Sequence, residues 1–315
     1  MTDPIPVLGP ARPLHLLTIT HTPELAALRL QARSVARFLD PSHAGAIVVI
    51  CNEPAMAPFR DQFDAQVRPE YGAHARSVTL MHRDELAQPR HWRHGWRSQQ
   101  LLKLLASRHL AEGDVLVLDS KNHFIRPIAA DSYRAPDGRL RTWRSHHRGH
   151  MEQYFRASVA AFDVPVEPHI DHWTPTVTPM AFPVADIREC LDALYVRFGA
   201  EFHETFLASD CRMTEFFLIA ACQLRSQGDL GARYVFGDRP NSAILFKDKV
   251  LDHNRFGSVL FAASQPHTLS FAIHHAAVGL LNEAQRDRVT DFWVDRGLIA
   301  QREEAEVFLR PPYGA

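Results

Sequence analysis

Short apolar runs alternate with stretches of helical spacing through the first third of the chain. Leu14 to Thr20 (LHLLTIT) is a mostly apolar run between Pro13 and the corner His21-Thr22-Pro23, the pattern of a strand covered on both faces. A helix is expected next. Leu25, Leu28, Ala32, Val35 and Leu39 recur on one face, with Thr22 as N-cap, Pro23 at the first position and Glu24 in the first turn. Asp40-Pro41 is the expected stop. Ala46 to Ile50 (AIVVI) reads as a second buried strand and Ser77 to Met81 as a third. A β-α-β opening predicts a parallel sheet joined by a right-handed crossover.

Trp96 to His109 (WRSQQLLKLLASRH) has helical spacing, with Leu101, Leu102, Leu104 and Leu105 forming an apolar face. Gln99 and Lys103, four residues apart, are expected to share another, exposed face. After Gly113, the run Asp114 to Leu118 (DVLVL) predicts a buried strand that ends in Asp119-Ser120-Lys121-Asn122-His123. Polar residues just past a strand's C-terminal end stand where open parallel sheets bind ligands. From Asp131 to about Pro168 the pattern loosens into loops and short elements. Asp186 and Glu189 form a capping-box-like pair ahead of a helix that Gly199 should end. Another helix is expected to start at Thr214-Glu215 and to run through the apolar stretch Phe216 to Cys222. Ser270 to His275 is strand-like with a polar end, and Asn282 with Gln285 marks a further helix start. There is no internal repeat and no low-complexity linker, so the fold class is α/β.

Composition changes this picture only by exclusion. Hydrophobic residues make up 46% and charged residues 23%, and the formal net charge is −1, so nothing favours binding to a nucleic-acid polymer. The four cysteines contain no C-x-x-C pair, which argues against a disulfide scaffold or a thiolate metal site; Cys51 and Cys222 read as core thiols. No segment approaches the roughly 20 apolar residues of a transmembrane span, and no basic, then apolar, leader opens the chain. A cytoplasmic protein is expected. Dinucleotide, P-loop, serine-hydrolase and H-E-x-x-H signatures are all absent. Histidine is abundant, at 19 of 315 residues. His146, His147 and His150 would converge on a transition metal if their segment were helical, whereas Arg148-Gly149 argues for a loop.

The remaining chemistry centres on Asp119. A carboxylate at a strand end can present oxygen to Mg²⁺ or Mn²⁺ and through it to a phosphate; it can equally cap a turn. Glu215, beside an apolar run, has surroundings that raise a carboxyl pKa toward that of a proton acceptor. A first-turn Glu is also favoured by the helix dipole alone. Gln99 and Lys103 can bond sugar hydroxyls or phosphate oxygens, or be a solvated face. Trp96 can stack on a ring, or belong to the core.

Gly95 to Ser107 (GWRSQQLLKLLAS) followed by Val115 to Pro127 (VLVLDSKNHFIRP) resembles a bacterial family of unknown function related to the GT-A glycosyltransferases. The likeness continues in order through Thr174 to Pro183 (TPTVTPMAFP), Thr214 to Cys222 (TEFFLIAAC) and Phe271 to His275 (FAIHH). The resemblance implies a GT-A-like, Rossmann-like domain with a mixed central sheet flanked by helices. It implies an N-terminal extension over 1–13, a nucleotide-sugar-binding half over 14–130, and an acceptor half with C-terminal helices over 131–315. It further implies a glycosyltransferase moving a sugar from a nucleotide-diphosphate donor to a hydroxyl acceptor, with a glycan among the candidates. An Asp-x-Asp motif holds a divalent cation, Mn or Mg, in such folds; Asp119 matches its first acid, and His274 or His275 matches a late metal ligand. Thr20 and His21 match the end of the first strand, where the nucleotide is met. With Trp96, Gln99, Lys103 and Asn122 they form the expected donor-binding set, and Glu215, on the acceptor side, is the expected base.

The chain departs from the motif where Lys121 replaces the second acid. Three readings stay open. The Lys121 ammonium neutralises the leaving diphosphate, Asn122 or His123 adds a ligand to a metal, or transfer has been lost and a nucleotide- or carbohydrate-binding protein remains. A His-based metal hydrolase centred on His146 to His150 is a further alternative.

Overall fold

The computed structural model describes residues 12–92, 95–129 and 131–312; of the expected extension 1–13, residues 1–11 lie outside the described residues. The chain opens with strand β1 (Leu14–Thr20), crosses through helix α1 (Leu25–Phe38) to β2 (Ala44–Cys51), and later reaches β3 (Val78–His82). Helix α2 (Trp96–Leu105) leads to β4 (Asp114–Asp119). There follow β5 (His123–Phe124), β6 (Leu140–Trp143), α3 (Glu152–Ala160), β7 (Met180–Pro183), α4 (Val184–Phe198) and α5 (Glu215–Gln227). The described elements close with β8 (Tyr234–Gly237), β9 (Ser242–Leu245), α6 (His253–Ser264), β10 (Ser270–Ile273) and α7 (Glu283–Asp295), joined by short helical turns.

Five strands form the main sheet in the order β3-β2-β1-β4-β7. β1 lies between β2 and β4, parallel to both, with Leu17 beside Val48 on one side and Val117 on the other. β7 pairs antiparallel with β4, which makes the sheet mixed, as expected. Central position explains the unbroken apolar runs: Leu17, Val49, Ile50, Val115 and Leu116 have no exposed surface. The α1 stripe of Leu25, Leu28, Ala32 and Val35 is buried as its spacing requires. Burying each of the Leu and Val side chains is worth about 1.5–3 kcal/mol. Before β4, Gly113 has φ +152°, and a Cβ there would stand 2.7 Å from the Pro13 carbonyl oxygen, so the chain can enter the sheet this closely only without a side chain.

A second, three-stranded sheet runs β5-β10-β9, with β10 antiparallel to β5 and parallel to β9. It has its own apolar cluster, including Phe256, Phe271, Ile273 and Trp293. β6 and β8 form a parallel pair.

Several local expectations shift. A 3-10 turn over Thr22–Glu24 precedes α1, so His21 rather than Thr22 takes the position before the first turn; the Thr22 backbone N–H instead donates to Glu53 at 2.7 Å. Asp186 does not cap α4. The helix begins after Pro183, and the Asp186 carboxylate is buried, accepting from Gln223 Nε2 at 2.8 Å. Gly199 ends α4 with φ +66°, and Asn282 with Gln285 forms the expected capping box. All four cysteines are free, and burial pushes the Cys51 thiol up to about 11. Among the described residues, no helix is long and apolar enough to cross a membrane.

Candidate active site

The C-terminal ends of β1, β2 and β4 open onto a cavity of about 670 Å³. One wall comes from the main sheet, α2 and the start of α5; the other comes from the ends of β9 and β10. Asp119, Lys121, Glu215, His21, Trp96, Gln99, Lys103, His274 and His275 all line it. Residues spread over the chain therefore meet in one place.

Asp119 is the hub. Its Oδ1 accepts from Lys103 Nζ at 3.2 Å; its Oδ2 accepts from Thr178 Oγ1 at 2.8 Å and also from Lys121 Nζ. Burial alone would raise its pKa, but the two ammonium charges and the hydrogen bonds outweigh it and hold the carboxyl well below the usual range. Lys103 also donates to Glu215 Oε1 at 3.1 Å. The Lys103 pKa is raised: burial opposes its charge, and the flanking carboxylates more than restore it. The Glu215 pKa, unlike that of Asp119, is raised, because burial raises its carboxyl and Lys103 offsets only part of that rise. With its amide oriented so that both ends are satisfied, Gln100 donates to Glu215 Oε2 at 3.1 Å and accepts from Trp96 Nε1 at 2.8 Å.

Opposite these charges stand His274 and His275, with ring centroids 4.1 Å apart. His274 Nδ1 accepts from the Ala276 backbone N–H at 3.3 Å. Burial, helped by the charges of His275 and Lys121, lowers His274 to about 4, and burial lowers His275 as well. Both are neutral imidazoles at pH 7.

Four expectations need correction. Lys103 is not on an exposed face: it is 7% exposed, because the two carboxylates draw its ammonium inward, where it also stands 5.2 Å from the centre of the Phe216 ring. Thr20 does not face the cavity; it is fully buried, and its hydroxyl is hydrogen-bonded with Ser120 Oγ at 2.9 Å. Asn122 is buried too. Its Oδ1 accepts from the Asp119 backbone N–H at 2.7 Å and its Nδ2 donates to the Thr178 carbonyl at 3.2 Å, so it shapes the turn that presents Asp119. The histidine cluster does not converge either. His147 is buried against Phe155 and Phe217 with Nε2 2.8 Å from the Thr174 carbonyl oxygen, while His146 and His150 are exposed. A hydrolase metal centre at His146 to His150 is therefore overturned.

Residues 14–256 match the family described as "Family of unknown function (DUF6492)". The chain belongs to this family. That agrees with the ordered motifs, and the matched stretch contains Lys103, Asp119, Lys121 and Glu215. No curated protein matches the chain. Similar solved structures include the bifunctional glycosyltransferase WbbM, at 12% identity over 94% of this chain and 51% of that one, with a TM-score of 0.49. The chain thus spans about half the length of WbbM. They also include the galactosyltransferase LgtC in complex with donor and acceptor sugar analogs (11% identity, 91% and 96% coverage, TM-score 0.48). Mouse xyloside xylosyltransferase 1 is a third (13%, 82% and 97%, TM-score 0.42).

In this DUF6492 member, residue-by-residue reading missed four participants. Thr178 lies within the TPTVTPMAFP stretch but gave no hint of its bond to Asp119. Gln31, in mid-helix, donates to the backbone carbonyls of Asp119 and Asn122 at 2.8 and 3.0 Å and anchors the turn. Gln100 had a usable signal, since Trp96, Gln100 and Lys103 recur at helical spacing. Glu24 accepts from Ser120 Oγ at 2.9 Å and lines the cavity.

Proposed function

We propose that the protein is a glycosyltransferase that moves a sugar from a nucleotide-diphosphate donor to a hydroxyl acceptor, of which a glycan is the natural class. One observation carries this reading: a strand-end carboxylate, two ammonium groups and a desolvated second carboxylate line one cavity of about 670 Å³, room for a nucleotide sugar. The ordered motifs that resemble a GT-A-related family support it. In the reaction the bond from the sugar's anomeric carbon to the diphosphate oxygen breaks, and the diphosphate leaves with the electron pair. The acceptor oxygen forms the new bond and gives up its proton.

Lys121, at the cavity surface, meets the charge that develops on the leaving diphosphate. Glu215 takes the acceptor proton if the anomeric centre inverts. Each of its oxygens has one donor, which leaves lone pairs for an acceptor hydroxyl, and its raised pKa favours proton uptake. Trp96, 48% exposed, offers a ring face for stacking, and Gln99 and His21 offer polar contacts to the donor.

A binding-only reading draws on a different observation. Both oxygens of Glu215 are already engaged, as in a carboxylate kept for structure. One experiment separates the two: nucleoside diphosphate release from a panel of UDP-, GDP- and dTDP-sugars with simple glycoside acceptors, for the wild-type protein, Asp119→Ala and Glu215→Gln. Transfer by the wild type and its loss in Asp119→Ala is the expected result. Full activity in Asp119→Ala overturns the assignment, and donor binding without release by the wild type selects the binding-only reading.

A further inference from the structure

Resting on the nucleotide-sugar reading, we infer that this site binds its diphosphate without a divalent cation and that Lys121 supplies the charge a cation would bring. The donor set does not fit the Mn or Mg expected at Asp119, His274 and His275. A cation needs lone pairs free of competing donors: Oδ2 of Asp119 gives both of its lone pairs to Thr178 and Lys121, and the one that Oδ1 keeps lies beside the Lys103 ammonium that it already accepts from. Lys103 cannot step aside, because it is 7% exposed and braced between Asp119 and Glu215. A divalent cation on Asp119 would stand against two ammonium charges. His274 directs one ring nitrogen to the Ala276 backbone N–H. Among the described residues, no group of three or more His, Cys, Asp or Glu side chains is placed to hold a metal ion.

The other carboxylates of the cavity have their own partners. Glu24 accepts from Ser120 and lies 3.5 Å from His21 Nδ1, and Glu53 accepts from the Thr22 backbone N–H. Lys121 is placed differently from Lys103. It follows the strand end by two residues, is 21% exposed and carries three donors, of which Asp119 takes one. An ammonium held by one carboxylate at a cavity mouth can turn its other donors to phosphate oxygens. Asp119 is then the anchor that aims Lys121, and Lys103 and Thr178 hold the anchor still.

The test is calorimetric titration of UDP-glucose, UDP-N-acetylglucosamine, GDP-mannose and dTDP-glucose into the full chain, in excess EDTA and in Mn²⁺. The expected result is that the donor which binds does so equally well in both. Lys121→Met weakens that donor by about ten- to a hundred-fold, the loss of a charge-assisted bond, and Lys121→Arg recovers part of it. Lys121→Asp restores the acid-x-acid spacing, and its binding is expected to be lost in EDTA and to return with Mn²⁺. Because Lys121 is partly exposed, circular dichroism and thermal unfolding of Lys121→Met and Lys121→Arg should match the wild type, so their weakened binding is not misfolding. Wild-type binding that requires Mn²⁺, or unchanged binding by Lys121→Met in EDTA, overturns the inference and leaves the transferase reading intact. No binding by any donor in either condition overturns the transferase reading, and the inference falls with it.

Discussion

On the main-sheet side of the cavity, Lys103, Asp119 and Glu215 are ion-paired to one another, whereas on the small-sheet side His274 and His275 are imidazoles whose charged form burial disfavours. The first wall solves the cost of burying charge by pairing every charge; the second avoids that cost by leaving its groups uncharged. The difference has a mechanical consequence. Paired charges hold one geometry and break badly when a partner is lost, while neutral imidazoles supply hydrogen-bonding atoms and respond to acid.

The sharpest way to break the comparison is Lys103→Met. It leaves Asp119 and Glu215 facing each other without their shared cation, and a loss of about 3–5 kcal/mol in urea unfolding is expected. A loss below about 1 kcal/mol, the range of exposed pairs, would mean that the triad does not hold this wall together.

Acid titration probes the other wall through His123, which lies on β5 beside β10 and accepts from Trp293 Nε1 at 2.9 Å. Burial lowers His123 to about 3 from an ordinary 6.5. Between those values the unfolded chain takes up a proton there that the native state refuses, so stability falls as pH drops below 6.5. The slope from this one group reaches about 1.4 kcal/mol per pH unit. His15 and His147, also lowered by burial, act in the same sense. Stability curves for the wild type and His123→Gln, compared between neutral pH and mild acid, should differ by this slope; parallel curves would show that His123 does not titrate as a buried group.

Thr178→Val sharpens the comparison on the charged side. It removes one of three donors to Asp119 while leaving both ammonium groups, and should cost about 1 kcal/mol in the same urea assay. The Asp119 carboxyl should then titrate higher, which carbon-detected NMR of the side chain reads directly. Lys121→Met has the smallest expected effect on stability, within about 0.5 kcal/mol, because Lys121 is partly exposed. A large loss would place Lys121 with Lys103 as a brace.

The amino-acid pattern by itself determined the order and kind of the main elements. Mostly apolar runs mark β1, β2 and β4 because a central strand has no wet face, and Gly199 and the Asn282-Gln285 pair mark helix ends because backbone groups there need local partners. The pattern also placed polar residues at the end of β4, where a parallel sheet opens. Tertiary structure alone decided what those residues do. Lys103 reads as solvent-facing by its spacing, yet two carboxylates distant in the chain, at 119 and 215, draw it inside. Thr20 and Asn122 read as ligand contacts, yet Ser120, Thr178 and the Asp119 backbone claim their hydrogen bonds. Asp186 reads as a helix cap, yet Gln223, 37 residues on, pulls it into the interior. Periodicity reports which face of an element is apolar; it carries no information about which distant polar group will satisfy a buried one, and in this site that pairing sets the charge, the exposure and the reach of every residue.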